Sequence, residues 1–399
     1  MKRGYLPLVA AALTLPIVLA LWNPIMAARQ PRAPAPSVHN PPDFGVDPFW
    51  PKPLPLNWVT GEVGGTCIDS QDHLFIVTRG FQTGGLASPE GVAGKYIKST
   101  ASPPVLEFDE QGNVVNAWGD PSLVPATAAA NAGQNAVLPH GIHGCFVDYQ
   151  DNVWIGGNGD GIVQKYTHDG TTLLLQIGTK FLCDNGTPAG GACANINITG
   201  TSQTLLNLPA DIAVDPTNGD VYIADGYGNH RVVVFDKNGK YLRQFGSAGS
   251  GPGQFTVGDG GHPHCVVIGR NGLVYACDRG QDRINVYRKD GSFVTDISIY
   301  PGTAALGTAG SVWDVEFSID RQQTFLFNSD GGNEIIWTLD HAGALAGSRN
   351  AVLGGFGRPG HMAGNFTFLH MMAIDSKGNL YAGETVGGRR VQKFMPIVQ

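Results

Sequence analysis

The sequence predicts an all-β protein, a six-bladed β-propeller, and three observations support this prediction. A unit of roughly 40 to 60 residues recurs along the chain, as in proteins built from structural repeats. Each unit alternates apolar and polar residues over short runs, which is typical of half-buried strands. Glycine accounts for 56 of the 399 residues, and the glycines separate these runs in the way that tight turns do.

The repeats define the blades. The best copy, residues 208–246, contains an apolar run, the strands V-Y-I-A-D and R-V-V-V-F, a D-K-N-G-K turn and a last strand. The other copies begin near Gly61, Ile142, His262, Ser311 and Phe368. Each copy predicts a four-stranded antiparallel sheet, and a radial ring of six such sheets leaves few exposed edges. The last copy stops one strand short, so we expect a strand within residues 54–59 to complete it.

The N-terminal residues differ in composition from the repeats. Lys2 and Arg3 precede an apolar run over residues 5–22, and small residues follow at Ala27 and Ala28. This order is typical of a secretory signal peptide, and the run is also long enough for a membrane anchor. We therefore predict a signal peptide or N-terminal anchor at residues 1–28 and export of the folded part, which is then periplasmic, secreted or tethered to the membrane.

A proline-rich segment separates this leader from the repeats. Nine prolines between residues 31 and 55 predict a stiff linker over residues 29–56, because such a segment is extended and cannot build a core. The propeller is accordingly expected over residues 57–399.

Charge and cysteine content narrow the functional classes. The net charge is −7 and no run of Lys or Arg could follow a phosphate backbone, which argues against nucleic acid as a partner. Cys183 and Cys193 flank a Gly-rich segment, and we expect them to form a disulfide bond. The other cysteines lie in apolar strand segments, where we expect small buried side chains. They are Cys67, Cys145, Cys265 and Cys277.

Histidine recurs at one position of alternate repeats. The copies can be aligned on the first residue of their first turn, such as Asp148 in blade two. Blade five is irregular there and is aligned by matching V-W-D-V to P-A-D-I of blade three. The residues five positions before the turn, in blade order, are Gly64, His143, Ala210, His264, Trp313 and His370. The innermost strand of a blade begins beside the central channel, so the equivalent positions of alternate blades lie about 120° apart. Three imidazoles that converge in this way form the ligand set of a catalytic zinc. We therefore predict that His143, His264 and His370 bind a metal ion, and zinc before others.

Two other interpretations of these histidines stay open. His140 and His262 lie close in sequence to His143 and His264, and only the alignment of the repeats excludes them. A single histidine beside a propeller channel is also more often a hydrogen-bonded structural group than a ligand. Three histidines at one alternating position favour the metal site.

Together with Arg79 in T-R-G, Tyr227 in D-G-Y-G-N-H-R and Arg279 in C-D-R-G, these histidines resemble a known lyase family. The chain is similar over residues 58–394 to the peptidyl-α-hydroxyglycine α-amidating lyases, six-bladed propellers of NHL repeats with a three-histidine zinc. The resemblance implies NHL-like four-stranded blades and a carbon–nitrogen lyase that cleaves a small-molecule or peptide substrate to an amide and glyoxylate. It also implies that Tyr227 and Arg79 act on the substrate and that Arg279 lies close to them.

The sequence departs from that family at several positions. Met371 stands where the family has an acidic residue that helps to bind a structural calcium, which argues against calcium here. Phe368 replaces a methionine, and Gly228 follows the tyrosine, so the disulfides typical of animal members lack partners at the matching positions.

The arginine motifs also have a structural interpretation. Asn229 and Arg231 belong to the ordinary NHL turn, in which they are structural. Arg231 and Arg279 could each pair with a turn aspartate, such as Asp225 and Asp278.

Two other functions compete with the lyase hypothesis. A non-catalytic NHL propeller would bind a protein or a polysaccharide through its loops, including the insertion at residues 179–204, and would need no metal. A lactone-hydrolysing propeller would bind calcium through Asp, Glu and Asn on its axis, and the sequence shows no such set at the positions of the histidines.

Overall fold

The computed structural model describes residues 1, 40–80, 100–119, 138–184, 193–258, 260–302 and 310–397. Apart from Met1, the predicted signal peptide or anchor at residues 1–28 lies outside these ranges. Within them, no helix combines the length and the apolar character needed to cross a membrane.

Six four-stranded antiparallel sheets form the predicted six-bladed β-propeller. The strands of blades one to three are β3 (Val63–Ile68), β4 (Leu74–Thr78), β6 (Val105–Phe108), β7 (Val114–Trp118), β8 (Ile142–Val147), β9 (Val153–Gly157), β10 (Ile162–Tyr166), β11 (Leu173–Gly178), β12 (Asp211–Val214), β13 (Val221–Asp225), β14 (Arg231–Phe235) and β15 (Tyr241–Phe245). The strands of blades four to six are β16 (Val266–Ile268), β17 (Leu273–Asp278), β18 (Arg283–Arg288), β19 (Phe293–Ser298), β20 (Asp314–Phe317), β21 (Phe325–Asp330), β22 (Ile335–Asp340), β23 (Val352–Phe356), β24 (Leu369–Ile374), β25 (Leu380–Glu384), β26 (Arg390–Ile397) and β1 (Asp43–Val46). The connections contain β2 (Trp58–Val59), β5 (Thr100–Ala101), helix α1 (His341–Leu345) and 3-10 turns at Pro55–Asn57 and Arg279–Gln281.

Blade three shows how the repeat produces a blade. All five residues of β13 are buried, and β13 pairs with a strand on each side, so that Val221 lies opposite Val214 and Phe235. The turn after β14 reverses the chain at Gly239, which has a φ of 80° and donates its N–H to the oxygen of Asp236 (2.9 Å). Residues with a side chain rarely adopt this φ, which explains the glycine in the repeated turn.

Strand β1 closes the ring, because it pairs antiparallel with β26 as the outer strand of blade six. The prediction that residues 54–59 supply this strand is wrong. Those residues form a 3-10 turn and β2, which pairs with β5, and proline cannot donate to a strand ladder. In β1 the ring of Phe44 packs on Phe327 and Phe356, with centroids 5.5 and 4.9 Å away. Part of the predicted linker at residues 29–56 is therefore a strand of the propeller.

All six cysteines form disulfide bonds. The predicted bond between Cys183 and Cys193 is confirmed. The other four are buried as expected, and they also form disulfide bonds, Cys67–Cys145 and Cys265–Cys277, which the sequence pattern did not predict. The first joins β3 to β8, two innermost strands whose cysteines are 78 residues apart in the sequence. Three disulfide bonds indicate a protein of an oxidising, secretory or extracellular environment.

Candidate metal centre

Three histidine side chains meet at the centre of the ring. His143 and His370 are the second residues of β8 and β24, and His264 lies two residues before β16. Their ring centroids are 4.6–5.0 Å apart, and the ring planes are inclined to one another by 75–81°. One nitrogen of each ring lies within 4.8 Å of a nitrogen of both others, and none of the three residues is more than 2% exposed. The structure thus brings together the three residues that alternate in the repeats.

Backbone carbonyl groups of the next blade orient two of these rings. His143 donates its Nδ1–H to the oxygen of Ala210 (2.7 Å), and His264 donates to the oxygen of Trp313 (2.6 Å). A carbonyl oxygen only accepts, so the proton of each neutral ring is on Nδ1 and its Nε2 has the lone pair. Ala210 and Trp313 occupy, in blades three and five, the repeat position that histidine occupies in blades two and four.

Gly64 takes the corresponding place beside His370. Burial lowers the pKa of His370 and the backbone of Gly64 partly offsets this lowering, while Nδ1 of His370 has no hydrogen-bond partner among the described atoms. A Cβ at Gly64 would lie 2.3 Å from the oxygen of Ile142, so the position does not admit a side chain. Backbone groups of the odd-numbered blades therefore face the rings of the even-numbered blades, as carbonyl groups orient metal-bound histidines in other proteins.

The nitrogens of this cluster fit a divalent metal ion. Nε2 of His264 is buried and has no hydrogen-bond partner in the described part of the chain, and an unsatisfied buried acceptor costs about 1–3 kcal/mol. Burial holds the pKa of all three rings well below the ordinary value, and the positive charge of Arg279 lowers all three further, as that of Arg79 does for His143 and His370. Neutral imidazoles suit zinc, copper, iron or nickel, and three of them leave a coordination position open.

Tyr227 lies beside the cluster, two residues after β13. Its Oη is 3.2 Å from Nε2 of His143, and its ring centroid is 5.8 Å from that of His264. The hydroxyl group therefore contacts a ring nitrogen that a metal ion would use.

Arg279 packs against the same tyrosine. Its guanidinium carbon lies 4.2 Å from the ring centroid of Trp313 and 5.8 Å from that of Tyr227. Burial lowers the pKa of Arg279, and its Nε has no hydrogen-bond partner among the described residues. A buried guanidinium with an unused donor can bind an anion, because a carboxylate supplies the missing acceptor.

Gly260 and Gly261 cover these two side chains. A Cβ at Gly260 would lie 2.9 Å from Nη2 of Arg279, and a Cβ at Gly261 would lie 2.7 Å from the ring of Tyr227. Both glycines have positive φ, 126° and 71°. Sequence reasoning missed them because they precede the aligned part of blade four, and their only signal is the Gly-Gly pair before His262.

Arg79 follows β4 and is held by three acceptors. Its Nε donates to the oxygen of Ile142 (2.7 Å), Nη1 to the carboxylate of Glu62 (3.2 Å) and Nη2 to the amide oxygen of Asn158 (3.3 Å). Glu62 offsets the charge of Arg79, so Arg279 is the better of the two arginines for binding an anion. Sequence analysis missed Glu62 and Asn158 because neither belongs to a repeated motif.

The two competing histidines lie outside the cluster. Nδ1 of His262 is 3.3 Å from the backbone nitrogen of Gly280 and 3.7 Å from the carboxylate of Asp278. His140 packs on Gly159, where an added Cβ would lie 2.4 Å from its Nδ1. Neither belongs to the three-histidine group found among the described residues.

The arginine of the NHL turn has a structural contact. Arg231 pairs with Asp225 at 3.0 Å, as the structural interpretation expects. Asp278 pairs with Arg283 at 3.1 Å, and no contact of the described residues joins it to Arg279. The guanidinium of Arg279 is therefore directed to the tyrosine and not to the turn.

Buried carboxylates line the same channel, one residue after each carbonyl group that orients a histidine. Asp211 accepts a hydrogen bond from the backbone of Val266 (2.9 Å), and Asp314 accepts one from Met372 (2.7 Å). Burial raises the pKa of Asp211 to about 7 and that of Glu316 to about 8. The search for acidic residues at the histidine positions missed this set because it is shifted along the strands.

Comparisons with known proteins agree with the fold. Residues 206–235 match the NHL repeat family. The chain is 27% identical over 367 residues to NHL repeat-containing protein 3 of Homo sapiens, and this match covers 89% of the chain and 84% of that protein.

Two further relatives are named for amidation. Peptidyl-glycine alpha-amidating monooxygenase B of Xenopus laevis is 28% identical over 266 residues, which cover 63% of this chain and 25% of that protein. A probable peptidyl-alpha-hydroxyglycine alpha-amidating lyase of Caenorhabditis elegans is 26% identical over 204 residues, which cover 45% of this chain and 52% of that protein. The ring of six four-stranded sheets is thus a six-bladed β-propeller with an NHL repeat in blade three, and its sequence is similar to NHL repeat-containing protein 3 and to proteins named for amidation.

Proposed function

We propose that this protein is a metal-dependent lyase that cleaves an α-hydroxylated amide, such as a peptidyl-α-hydroxyglycine, to an amide and glyoxylate. One observation supports the proposal above all others: the hydroxyl group of Tyr227 lies 3.2 Å from a cluster of three neutral, buried imidazoles. The relatives named for amidation and for lyase activity point to the same chemistry.

His143, His264 and His370 would hold the metal, and zinc is the first choice for three imidazole ligands. Bound zinc lowers the pKa of a coordinated hydroxyl group, as it does for water. Calcium is not part of the proposal, because the apolar Met371 follows His370 at the place of the family's acidic residue.

The side chains around the cluster have distinct roles in this proposal. Tyr227 takes the proton of the substrate hydroxyl group as a general base. The carbon–nitrogen bond then breaks, the hydroxyl oxygen becomes the aldehyde oxygen of glyoxylate, and the proton passes to the amide nitrogen. Arg279 binds the substrate carboxylate through charge-assisted hydrogen bonds, and Arg79 stabilises the negative charge that develops on the reacting oxygen.

Glyoxylate release from an N-acyl-α-hydroxyglycine tests this proposal. The zinc-loaded wild-type protein should release glyoxylate and the matching amide in equal amounts. A variant with His143, His264 and His370 changed to alanine should release neither above the rate without protein. A wild-type protein that holds zinc and yields no glyoxylate would contradict the proposed reaction.

The alternative is a propeller that binds a protein or a polysaccharide without catalysis. The match to NHL repeat-containing protein 3, whose name states no reaction, covers more of the chain than the matches to the amidating proteins. Metal content separates the two functions, since a binding propeller needs no imidazole cluster. Substoichiometric zinc, copper, iron and nickel in the purified protein would favour the binding propeller.

We also propose that the chain is exported, with residues 1–28 as a signal peptide or anchor. The three disulfide bonds support an oxidising compartment. Mass spectrometry of the protein from its own cells should show cleavage near Ala27 or Ala28, or an uncleaved chain in the membrane fraction. An uncleaved chain in the cytoplasmic fraction would contradict export.

A further inference from the structure

The first turn of blade one departs from the pattern of the other blades. Asp69 in blade one, Asp148 in blade two and Asp375 in blade six occupy the same place in the repeat. In all three turns, Oδ1 of the aspartate accepts the backbone N–H groups of the residues two and four positions later. The backbone of the turn is therefore the same, and the side chains around the three aspartates can be compared directly.

An aromatic hydrogen-bond donor is missing from blade one. In blade two, Nε1 of Trp154 donates to Oδ2 of Asp148 (2.9 Å), and Tyr381 donates in the same way in blade six (3.1 Å). Phe75 holds this position in blade one and has no polar atom. The second oxygen of Asp69 therefore needs another partner.

A neutralising lysine is missing as well. In blade two, Lys165 on the neighbouring strand forms an ion pair with Asp148, with Nζ 2.9 Å from the carboxylate. The register of β4 and β6 places Glu107 at the equivalent position of blade one. Blade one thus has a second carboxylate where blade two has an ammonium group.

A residue of the next blade also differs. Lys289 of blade four forms an ion pair with Asp215, the turn aspartate of blade three. The equivalent residue of blade two is His168, and its Nε2 lies 2.9 Å from Oδ2 of Asp69. Imidazole therefore replaces ammonium on this side of Asp69.

His73 completes the group, at a position where blades two and six have asparagine. Its Nδ1 lies 2.7 Å from Oε1 of Glu107 and 3.8 Å from Oδ2 of Asp69. The side chains of Asp69 and Glu107 are at most 6% exposed, whereas those of His73 and His168 are 25% and 31% exposed. Among the described residues, imidazoles are thus the side chains that contact these two buried carboxylates, and with neutral rings the group has a charge of −2.

We propose that Asp69, His73 and Glu107 form a second metal site, which binds Zn²⁺ in blade one at its border with blade two, where His168 contacts Asp69. Zinc takes imidazole nitrogen and carboxylate oxygen at about 2.0–2.2 Å in a tetrahedron, which separates neighbouring ligand atoms by about 3.4 Å. The separations of 2.7 Å between His73 and Glu107 and of 3.8 Å between His73 and Asp69 lie around that value, and the ligand atoms of the three residues lie within 4.8 Å of one another. A divalent cation would neutralise both carboxylates.

This site is separate from the histidine cluster of the channel. Gly64, at the channel end of β3, and Asp69 are five residues apart, which corresponds to roughly 16 Å along an extended strand. The second site lies at the border of the same two blades that the bond between Cys67 and Cys145 joins. Its role is therefore structural: it fixes Asp69, whose carboxylate also contacts His168 of blade two, just after the innermost strand of blade one.

The test begins with the His143, His264 and His370 to alanine variant, which lacks the channel cluster. After treatment with a chelator, this variant should bind one Zn²⁺ per chain in a calorimetric titration with zinc chloride at pH 7.5. Adding His73→Asn and Glu107→Lys, the residues of blade two, should weaken zinc binding by at least 100-fold. Adding His361→Asn, a histidine outside both clusters, should leave zinc binding unchanged.

Two measurements keep the result independent of folding. The variant with His73→Asn and Glu107→Lys should unfold at the same temperature as its parent without metal, and only the parent should gain thermal stability when zinc is added. Co²⁺ in the parent should give the visible absorption of a four-coordinate ion, and His73→Asn alone should change that spectrum. The proposal is overturned if the channel variant binds no zinc, or if the changes at His73 and Glu107 leave binding unaltered.

Discussion

Nε2 of His143 lies 3.2 Å from Oη of Tyr227, while Nδ1 of the same ring donates to the backbone of Ala210. Since the single proton of the neutral ring is on Nδ1, Nε2 accepts the hydrogen bond and the tyrosine donates it. A metal ion at Nε2 would use the same lone pair. Tyr227 would therefore compete with a metal ion for His143, and metal binding would free its hydroxyl group for a substrate.

The change Tyr227→Phe should separate metal binding from catalysis. We expect the variant to bind zinc at least as tightly as the wild type, because the competing hydrogen bond is gone. Glyoxylate release should fall by about 10²- to 10⁴-fold, the usual contribution of a general base. Zinc titration and single-turnover assays measure both effects. Loss of zinc from the variant would show that the hydroxyl group supports the metal site instead.

The change Arg279→Lys should weaken substrate binding more than turnover. A lysine keeps the charge but cannot stack on Trp313 or offer two parallel donors to a carboxylate, so KM should rise at least tenfold with a smaller change in kcat. Arg243→Lys is the matched control, because Arg243 also contacts an aromatic ring, that of Tyr222 at 5.6 Å. Arg243 lies on β15, the outer strand of blade three, whereas the three histidines lie at the innermost strands of their blades. Equal effects of the two changes on KM would argue against a carboxylate site at Arg279.

The sequence predicts the ring and the convergence of the histidines because both depend on repetition. Strands of one repeat have to form one sheet, and equivalent residues of alternate blades have to face one another around the axis. His143, His264 and His370 are therefore found together by counting positions alone.

Features that do not repeat could not be predicted in this way. Glu62 and Asn158 reach Arg79 from connections that have no counterpart in other blades. The bond between Cys67 and Cys145 depends on the distance between neighbouring blades, which a pattern within one blade does not contain. Strand β1 was missed because the prolines around it hide a short extended segment.

The change Arg231→Met should destabilise the propeller. Arg231 is fully buried, pairs with Asp225 and also donates to the backbone oxygens of Gly200 and Leu205 (both 3.0 Å). Methionine fills a similar volume but leaves the carboxylate of Asp225 buried without its cation, which costs about 3–5 kcal/mol. Urea unfolding measures this loss, and Arg288→Met, at an exposed position, should change the stability by less than about 0.5 kcal/mol. Equal stabilities of the two variants would contradict the structural role of Arg231.

The two innermost disulfide bonds should differ in their effect on stability. Cys67–Cys145 closes a loop of 78 residues and Cys265–Cys277 a loop of 12. Loop-closure entropy predicts losses of about 4.5 and about 2.8 kcal/mol when each pair is changed to alanine. Chemical unfolding of the two double variants tests the difference, since both remove the same atoms. A larger loss for the shorter loop would show that packing, not chain entropy, controls the effect.

The channel carboxylates should make stability depend on pH. The pKa of Asp211 rises from 3.8 to about 7 and that of Glu316 from 4.5 to about 8, because burial disfavours their charged forms. At a pH between the unfolded and the folded pKa of each group, the folded protein binds more protons than the unfolded chain. The free energy of unfolding therefore falls as the pH rises from about 4 to about 8.

Asp211→Asn combined with Glu316→Gln should weaken this dependence, and the part that Asp314 contributes should remain, because burial raises its pKa as well. An amide oxygen can still accept the hydrogen bond of Val266, which Asp211 accepts at 2.9 Å, and an amide does not ionise. One pKa unit corresponds to about 1.4 kcal/mol. In the presence of a chelator, the free energy of unfolding of the variant relative to that of the wild type should therefore rise by at least this amount from pH 5 to pH 8. Urea unfolding at both pH values measures the gain. Parallel pH profiles of the two proteins would mean that these carboxylates are ionised in the folded channel, and that a cation or water stabilises them there.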